Sequence, residues 1–328
     1  MTQKRVLSGI RANGRLHLGN YLGAVKGMLE LQDDSRYDTF YMVADLHSIN
    51  IPYDPKVFQG AVRDVVLDYL AAGLDPEKST IFIQSQVYEH VELSYLFSTV
   101  VTIARMQHLP TFKEKVKNYP ENVNMALLYY PVLMAADILV YGASLVPVGI
   151  DQEPHLEVAR EIAQKMNDRF GLKLPFPQRF ATQGEYVPSL TGEGKMAKSV
   201  EGSSILLTDD LVTIQKRLAA VPTDLGKGET VPTEGGVAAL LKFCELFLGD
   251  KRTETLANQY KQDGIKYKDL KEELAEAIYA ELKPIQKRRA DLEADTETVN
   301  RIINEGAKKA KVVASETLST VKEAMGLV

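Results

Sequence analysis

Apolar and polar positions change rhythm along the chain. Val6 to Ile10 is a short apolar run, followed after Gly14 by an amphipathic stretch from His17 to Gln32. Thr39 to Leu46 has the density of a buried strand. Lys56 to Ala72 carries Val57, Val62, Val65, Val66 and Leu70 near a 3.6-residue spacing, which predicts a helix. Thr80 to Gln84 is rich in β-formers, helical patterns return at 91–106, 122–141 and 153–167, and Ser144 to Gly149 is again strand-like. Strands alternating with helices predict an α/β fold, a Rossmann-like parallel sheet covered on both faces, with ligands at the carboxyl ends of its strands.

Beyond residue 205 the strand rhythm stops. Residues 223–236, rich in Gly, Thr and charge, predict a loop. Ala238–Leu248, Arg252–Gln262, Tyr267–Asp291 and Thr298–Met325 all carry helical periodicity. The expected organisation is a catalytic domain over 1–204 and an all-helical domain over 205–328.

Composition narrows this without redirecting it. The 328 residues are 45% hydrophobic and 25% charged, ordinary for a globular protein. No run approaches the ~20 apolar residues that span a bilayer, so no membrane association is expected. The start lacks the apolar core of a signal peptide, which makes a cytoplasmic location the simplest expectation. The single cysteine, Cys244, excludes an intrachain disulfide and a Cys-rich zinc site, and no metal ligand set is expected. A net charge of −5 gives no general support for nucleic-acid binding, so local patches matter. Lys113, Lys115 and Lys117 form one, Lys287 to Arg289 a second, and Lys308, Lys309 and Lys311 a third; taken alone, each reads as a solvated helix face.

Two segments carry chemistry. His17-Leu-Gly-Asn20 follows the first strand and opens a helix, whose free N–H groups suit an anion. Gly19 lets a nucleotide approach the backbone, and His17 and Asn20 add donors on the same turn. The Gly-x-x-x-x-Gly-Lys-Ser/Thr phosphate loop is absent. Lys195-Met-Ala-Lys-Ser199 follows Gly192 and Gly194; two ammonium groups on such a loop can meet charge developing on transferring phosphates. In isolation the first segment reads equally as a helix cap and the second as an exposed basic turn.

Their order decides between these readings. The pair resembles the two signatures of the class I aminoacyl-tRNA synthetases, and the chain as a whole is similar to the bacterial tryptophanyl-tRNA synthetases. Gly14–Gly23, Val43–Ser48, Tyr130–Leu139, Val146–Gln152, Glu305-Gly-Ala and the closing Ala-Met-Gly-Leu carry the likeness. The resemblance implies formation of an adenylate from L-tryptophan and ATP, with Mg2+ held through the ATP phosphates, then transfer to tRNA-Trp. It implies His17, Asn20, Lys195 and Lys198 as catalytic residues. It places ATP on Arg11, Ala12, Asn13, Gly19, Asn20, Gly149, Ile150, Asp151, Val187 and Lys195, Met196, Ala197, Lys198 and Ser199. It assigns Asp137 to the indole N–H, which only donates and so requires an acceptor. Leu7, Tyr130, Met134, Val146 and Val148 are implied around the indole, and His47 and Gln152 near the amino acid. It further implies a homodimer and an anticodon-reading helical domain, which makes 287–289 and 308–311 candidate RNA contacts.

The sequence departs from the family pattern at Ala197, where Ser is usual, and at Leu7, Arg11 and Ile150. Arg11 is expected to reach the ATP phosphates directly. Three alternatives stay open at this point: a tyrosyl-tRNA synthetase of the same fold, a small-molecule nucleotidyltransferase, and a duplicated synthetase acting as a regulatory protein. The Met-Ala-Ala-Asp-Ile segment disfavours the first, the long helical domain the second, and the two retained lysines the third.

Overall fold

The computed structural model describes residues 3–181 and 186–328. Strand β1 (Lys4–Arg11) leads into α1 (Leu18–Asn20), which continues through a π-helical turn (Tyr21–Val25) into α2 (Lys26–Gln32). Then follow β2 (Tyr37–Ala44), α3 (Pro55–Ala72), β3 (Ser79–Ile83), α4 (Glu89–Ser98), α5 (Ile103–Gln107), α6 (Pro110–Asn118) and α7 (Met125–Leu139). Strand β4 (Leu145–Pro147), α8 (Glu153–Phe170) and β5 (Gln178–Phe180) complete the sheet. Helices α9 (Leu211–Ala219), α10 (Gly235–Leu248), α11 (Asp250–Lys261), α12 (Tyr267–Ala294) and α13 (Thr296–Ala324) follow.

All five strands are parallel, in the order β3-β2-β1-β4-β5. The chain winds outward from β1 to β3, then returns to place β4 on the other side of β1. The strand order therefore reverses between β1 and β4, and the crevice beyond their carboxyl ends is where such sheets bind ligands. Ser8 Oγ ties the two strands by donating to the Pro147 carbonyl at 2.9 Å.

Local chemistry explains the helix limits. Helix α3 starts with Asp54 accepting from the Lys56 N–H and Pro55 in its first turn, and ends at Gly73, whose φ of 117° a side chain would oppose. Asn124 caps α7 by accepting from the Leu127 N–H at 2.9 Å. The predicted helix over 91–106 is instead two. Helix α4 stops at Ser98, and Thr102 opens α5 by capping the Arg105 N–H. Pro110 then starts α6, which periodicity did not reveal. Strand β5, three residues long, and α9 were likewise unforeseen.

The helices after residue 205 pack directly on the sheet unit. Helix α12 lies along α3 and α9, and α13 covers the β3 edge. At Gly306 the approach is so close that a Cβ would sit 1.7 Å from the Ile81 carbonyl oxygen, so only glycine fits without a backbone shift. That contact closes what would otherwise be an open strand edge.

Candidate active site

Four strand ends feed the crevice: Arg11 ends β1, His47 follows β2, Gln84 follows β3, and Gly149 to Gln152 follow β4. Two adjoining cavities open there. The first, about 420 Å³, has Leu7, Met42, Met134, Ile138, Val146 and Val148 as apolar lining, with His47, Tyr130, Asp137 and Gln152 among its polar groups. The second, about 750 Å³, is lined by Arg11, Asn13, His17, Gly19, Asn20, Gly149, Asp151 and all five residues of Lys195–Ser199. Arg11, Asn20, Lys115, Val148, Asp151 and Gln152 line both, so the two form one continuous cleft.

Asp137, on α7, is fully buried at the base of the first cavity. Its Oδ1 accepts from Gln84 Nε2 at 2.7 Å and His90 Nδ1 at 2.6 Å, and its Oδ2 from His47 Nε2 at 2.7 Å. Burial pushes this carboxyl up, but the two histidines outweigh burial and hold it at about 2. His90 Nε2 in turn stands 2.7 Å from the Tyr141 hydroxyl, which holds the ring in place. A carboxylate has about four acceptor positions. Three are occupied here, which leaves one on Oδ2 for a donor entering the apolar cavity.

A second network shapes the opposite wall. Burial first, then nearby Lys115, lowers the His155 pKa to about 4, so its ring is neutral near pH 7. Its Nδ1–H donates to Gln152 Oε1 at 3.0 Å, so Nε2 accepts from the Tyr130 hydroxyl at 2.8 Å. The Thr111 hydroxyl lies 2.9 Å from the same Nε2, so two hydroxyls share its one lone pair. Gln152 Nε2 donates to Asp151 Oδ2 at 2.7 Å, which fixes the amide's orientation, and Asp151 Oδ1 lies 3.9 Å from Lys195 Nζ.

The His17 turn and the lysine loop meet through the backbone. The Leu18 N–H donates to the Ile205 carbonyl and the Leu207 N–H to the Leu16 carbonyl, both at 2.9 Å. This bridge joins the turn containing His17 to the chain leaving the lysine loop. Asn20 Oδ1 accepts from the His17 N–H at 3.2 Å, while His17 Nδ1 is buried without a partner. Burial, with Lys198 and Lys195 nearby, lowers the His17 pKa to about 4. A Cβ on Gly19 would stand 2.8 Å from the His17 ring, so the glycine makes room for that ring. Lys198 Nζ donates to the carbonyls of Asn13 at 2.7 Å, Gly14 at 3.2 Å and Arg15 at 2.6 Å.

Three residues singled out in the sequence do not line the cleft. Ala12 is buried, its N–H donating to Ser48 Oγ at 2.7 Å. Ile150 is 68% exposed and faces away. Val187 is buried beneath the lysine loop, its carbonyl accepting from the Met196 N–H at 2.9 Å. Conversely, Gln84, His90, Thr111, Lys115 and His155 belong to the site and were not foreseen. Lys115 Nζ sits 4.2 Å from the centre of the Tyr130 ring, and burial lowers its pKa to about 8. The 287–289 patch also changes meaning. Arg288 Nε donates to the Ala71 carbonyl at 2.6 Å, and Arg289 is 3% exposed within the fold.

The family profile described as tRNA synthetases class I (W and Y) matches residues 2–283. A tryptophan–tRNA ligase of Helicobacter pylori is 40% identical over 334 residues, covering 100% of both chains. The chain belongs to the tryptophan–tRNA ligase family. The crystal structure of the family member from Mycoplasma pneumoniae matches with a TM-score of 0.86 at 34% identity, covering 100% of this chain and 99% of that one. The tryptophanyl-tRNA synthetase of Campylobacter jejuni, solved with ADP and tryptophan, matches with a TM-score of 0.84 at 30% identity over 98% of this chain and 100% of that one. Family membership bears out the Rossmann-like reading, and relatives of this identity favour the tryptophan branch over the tyrosine branch.

Proposed function

We propose that the cleft joins L-tryptophan to ATP and that the protein then charges tRNA-Trp. A tryptophan carboxylate oxygen attacks the α-phosphorus, the bond to the bridging β-phosphate oxygen breaks, and pyrophosphate leaves with that electron pair. A ribose hydroxyl of the tRNA 3′ end then attacks the adenylate's carbonyl carbon, loses its proton and releases AMP. The observation that carries this reading is the single open acceptor position of Asp137 inside an apolar cavity, continuous with a cavity walled by two lysines.

In this reading Asp137 accepts the indole N–H, and His47 holds the carboxylate in place. Leu7, Met134, Val146 and Val148 pack the ring, while Tyr130 and Gln152 face the amino-acid end. Phenylalanine would fill the cavity less and leave a buried acceptor unpaired, at a cost of about 1–3 kcal/mol. Arg11, Asn13, Gly19, Asn20, Gly149 and Asp151 surround ATP, with Ala12, Ile150 and Val187 acting through the backbone. His17 and Asn20 meet the phosphates at the helix start. Lys195 and Lys198 follow the negative charge onto pyrophosphate, Lys198 by exchanging the three carbonyls for phosphate oxygens. Met196, Ala197 and Ser199 shape that loop.

Among the described residues no group of three or more His, Cys, Asp or Glu side chains gathers to hold a metal. The cationic and amide donors of the cleft fit an Mg2+ that arrives on the phosphates rather than one held by the protein. The ion would neutralise phosphate charge.

The helical residues 205–328 are read as the anticodon-binding domain, with Lys308, Lys309 and Lys311 its exposed basic row. Exposed Tyr88, just before α4, and Val91 and Tyr95 on it offer an apolar face for the second copy of a homodimer. No helix among the described residues is long and apolar enough to cross a membrane, and a cytoplasmic location follows from the proposed role in translation. The test is charging of a tRNA-Trp transcript with labelled tryptophan by purified protein. Charging that is lost in a Lys195→Ala/Lys198→Ala variant supports the reading, and absence of charging by the wild type overturns it.

A further inference from the structure

Along α12, Leu274, Ile278, Leu282 and Ile285 form the buried stripe, and Arg289 continues it. A guanidinium at such a position is costly unless paired. Arg289 Nη1 pairs with Asp68 Oδ1, and its Nη2 pairs with Asp64 Oδ1 and, at 3.1 Å, with Glu293. Nη1 also donates to the Asp64 carbonyl at 3.1 Å. Asp68, fully buried on α3, turns its other oxygen to the Leu16 N–H. Leu16 directly precedes His17, and the three carbonyls just upstream hold Lys198. One side chain of the helical region thus fixes a carboxylate that fixes the backbone between two nucleotide contacts.

Such a buried ion cluster is weak evidence for stability, because well-packed apolar residues commonly replace one without loss. Two other side chains of α12 grip the same region. Gln286 Nε2 donates to the Leu207 and Asp209 carbonyls, both at 2.9 Å. Glu281 accepts from the Tyr21 hydroxyl at 3.0 Å and pairs with Lys26 at 2.7 Å. We propose that Arg289 is a positioning residue for ATP: through Asp68 it sets the Asn13–His17 backbone against Lys198, so the helical region governs the geometry of the nucleotide site. The cavity read as the tryptophan site has none of these contact residues in its lining. The inference rests on reading the lysine-walled cavity as the ATP site.

The experiment is tryptophan-dependent ATP–pyrophosphate exchange, with KM measured for each substrate. Arg289→Gln is expected to raise the KM for ATP, and lower kcat, on the order of 10-fold, leaving the KM for tryptophan within about twofold. Arg289→Lys should recover part of the loss. Asp68→Asn keeps an acceptor for Leu16 while losing the ion pair, so it should fall between wild type and Arg289→Gln; it carries the test if Arg289→Gln does not fold. Equal changes in both KM values, or a lower melting temperature with both constants unchanged, would overturn the proposal. Failure of the wild type to exchange would instead overturn the ATP-site reading beneath it.

Discussion

Replacing Asp137 by Asn turns one carboxylate oxygen into an NH2 group while keeping the shape, which makes it the sharpest perturbation of the proposed tryptophan cavity. The carboxylate accepts three donors, from Gln84, His90 and His47, and has one position left. An asparagine oxygen can still take the Gln84 and His90 bonds. Its NH2 group then occupies the place of Oδ2 and points donors at His47 and at the indole. His47 can answer by changing tautomer, but the indole N–H cannot, so donor meets donor. Losing a hydrogen bond to a charged group costs about 1.5–3 kcal/mol, and a buried donor without a partner about 1–3 kcal/mol. A net loss near 3 kcal/mol corresponds to about 10²-fold in kcat/KM for tryptophan. The lysine-walled cavity, proposed as the ATP site, does not include Asp137, so the KM for ATP should change less than about threefold. Steady-state ATP–pyrophosphate exchange, varied separately in each substrate, measures both. A fall in kcat/KM for tryptophan below about fivefold, or a matching rise in the KM for ATP, would refute the assignment of the open acceptor position.

Other consequences follow from the same geometry. Lys198→Met should lower the rate of adenylate formation by roughly 10²–10³-fold in single-turnover experiments, with tryptophan affinity unchanged; a loss confined to tryptophan binding would contradict its role. Gly19→Ala places a methyl against the His17 ring, and the KM for ATP should rise about 10-fold or more with normal tryptophan affinity; kinetics like the wild type would show that the ring moves freely. Folded pKa values of about 4 for His17 and His155 lie below the ordinary 6.5, so between these values only the unfolded chain takes up the proton. Each neutral histidine therefore contributes roughly 3 kcal/mol above pH 6.5, lost as pH falls toward 4. Melting temperature should drop across that window, less steeply in a His17→Asn/His155→Gln variant, and parallel slopes would exclude the effect.

The parts of the fold set by periodicity were legible in advance. The buried runs of β1 and β2, the stripe of α3 and the four long helices after residue 235 stand close to their expected positions, because one face or both must leave water. Strand β5 was too short to show a period, and α6 presents no fully buried residue that could announce it. The lysine loop and the His17 turn were legible as chemistry only as a pair; the backbone bridge between Leu18 and Ile205 is the physical form of that pairing. Gln84, His90 and His155 acquire their roles through partners 53, 47 and 25 residues away, which local spacing cannot reveal. Lys115 looked like one of three surface lysines, yet it alone of them turns into the cleft. Arg289 falls on the apolar stripe of α12, four residues beyond Ile285, where a solvated charge does not belong.

In the proposed reaction this cleft activates tryptophan, selected through Asp137, with ATP. Its most direct test is ATP–pyrophosphate exchange by the purified protein with tryptophan, tyrosine or phenylalanine as the only amino acid. Exchange is expected with tryptophan, with a kcat/KM at least about 10³-fold lower for the other two; sites that hydrogen-bond their substrate reach about 10⁴–10⁵-fold. Exchange driven by tyrosine instead of tryptophan, or by none of the three, would contradict it.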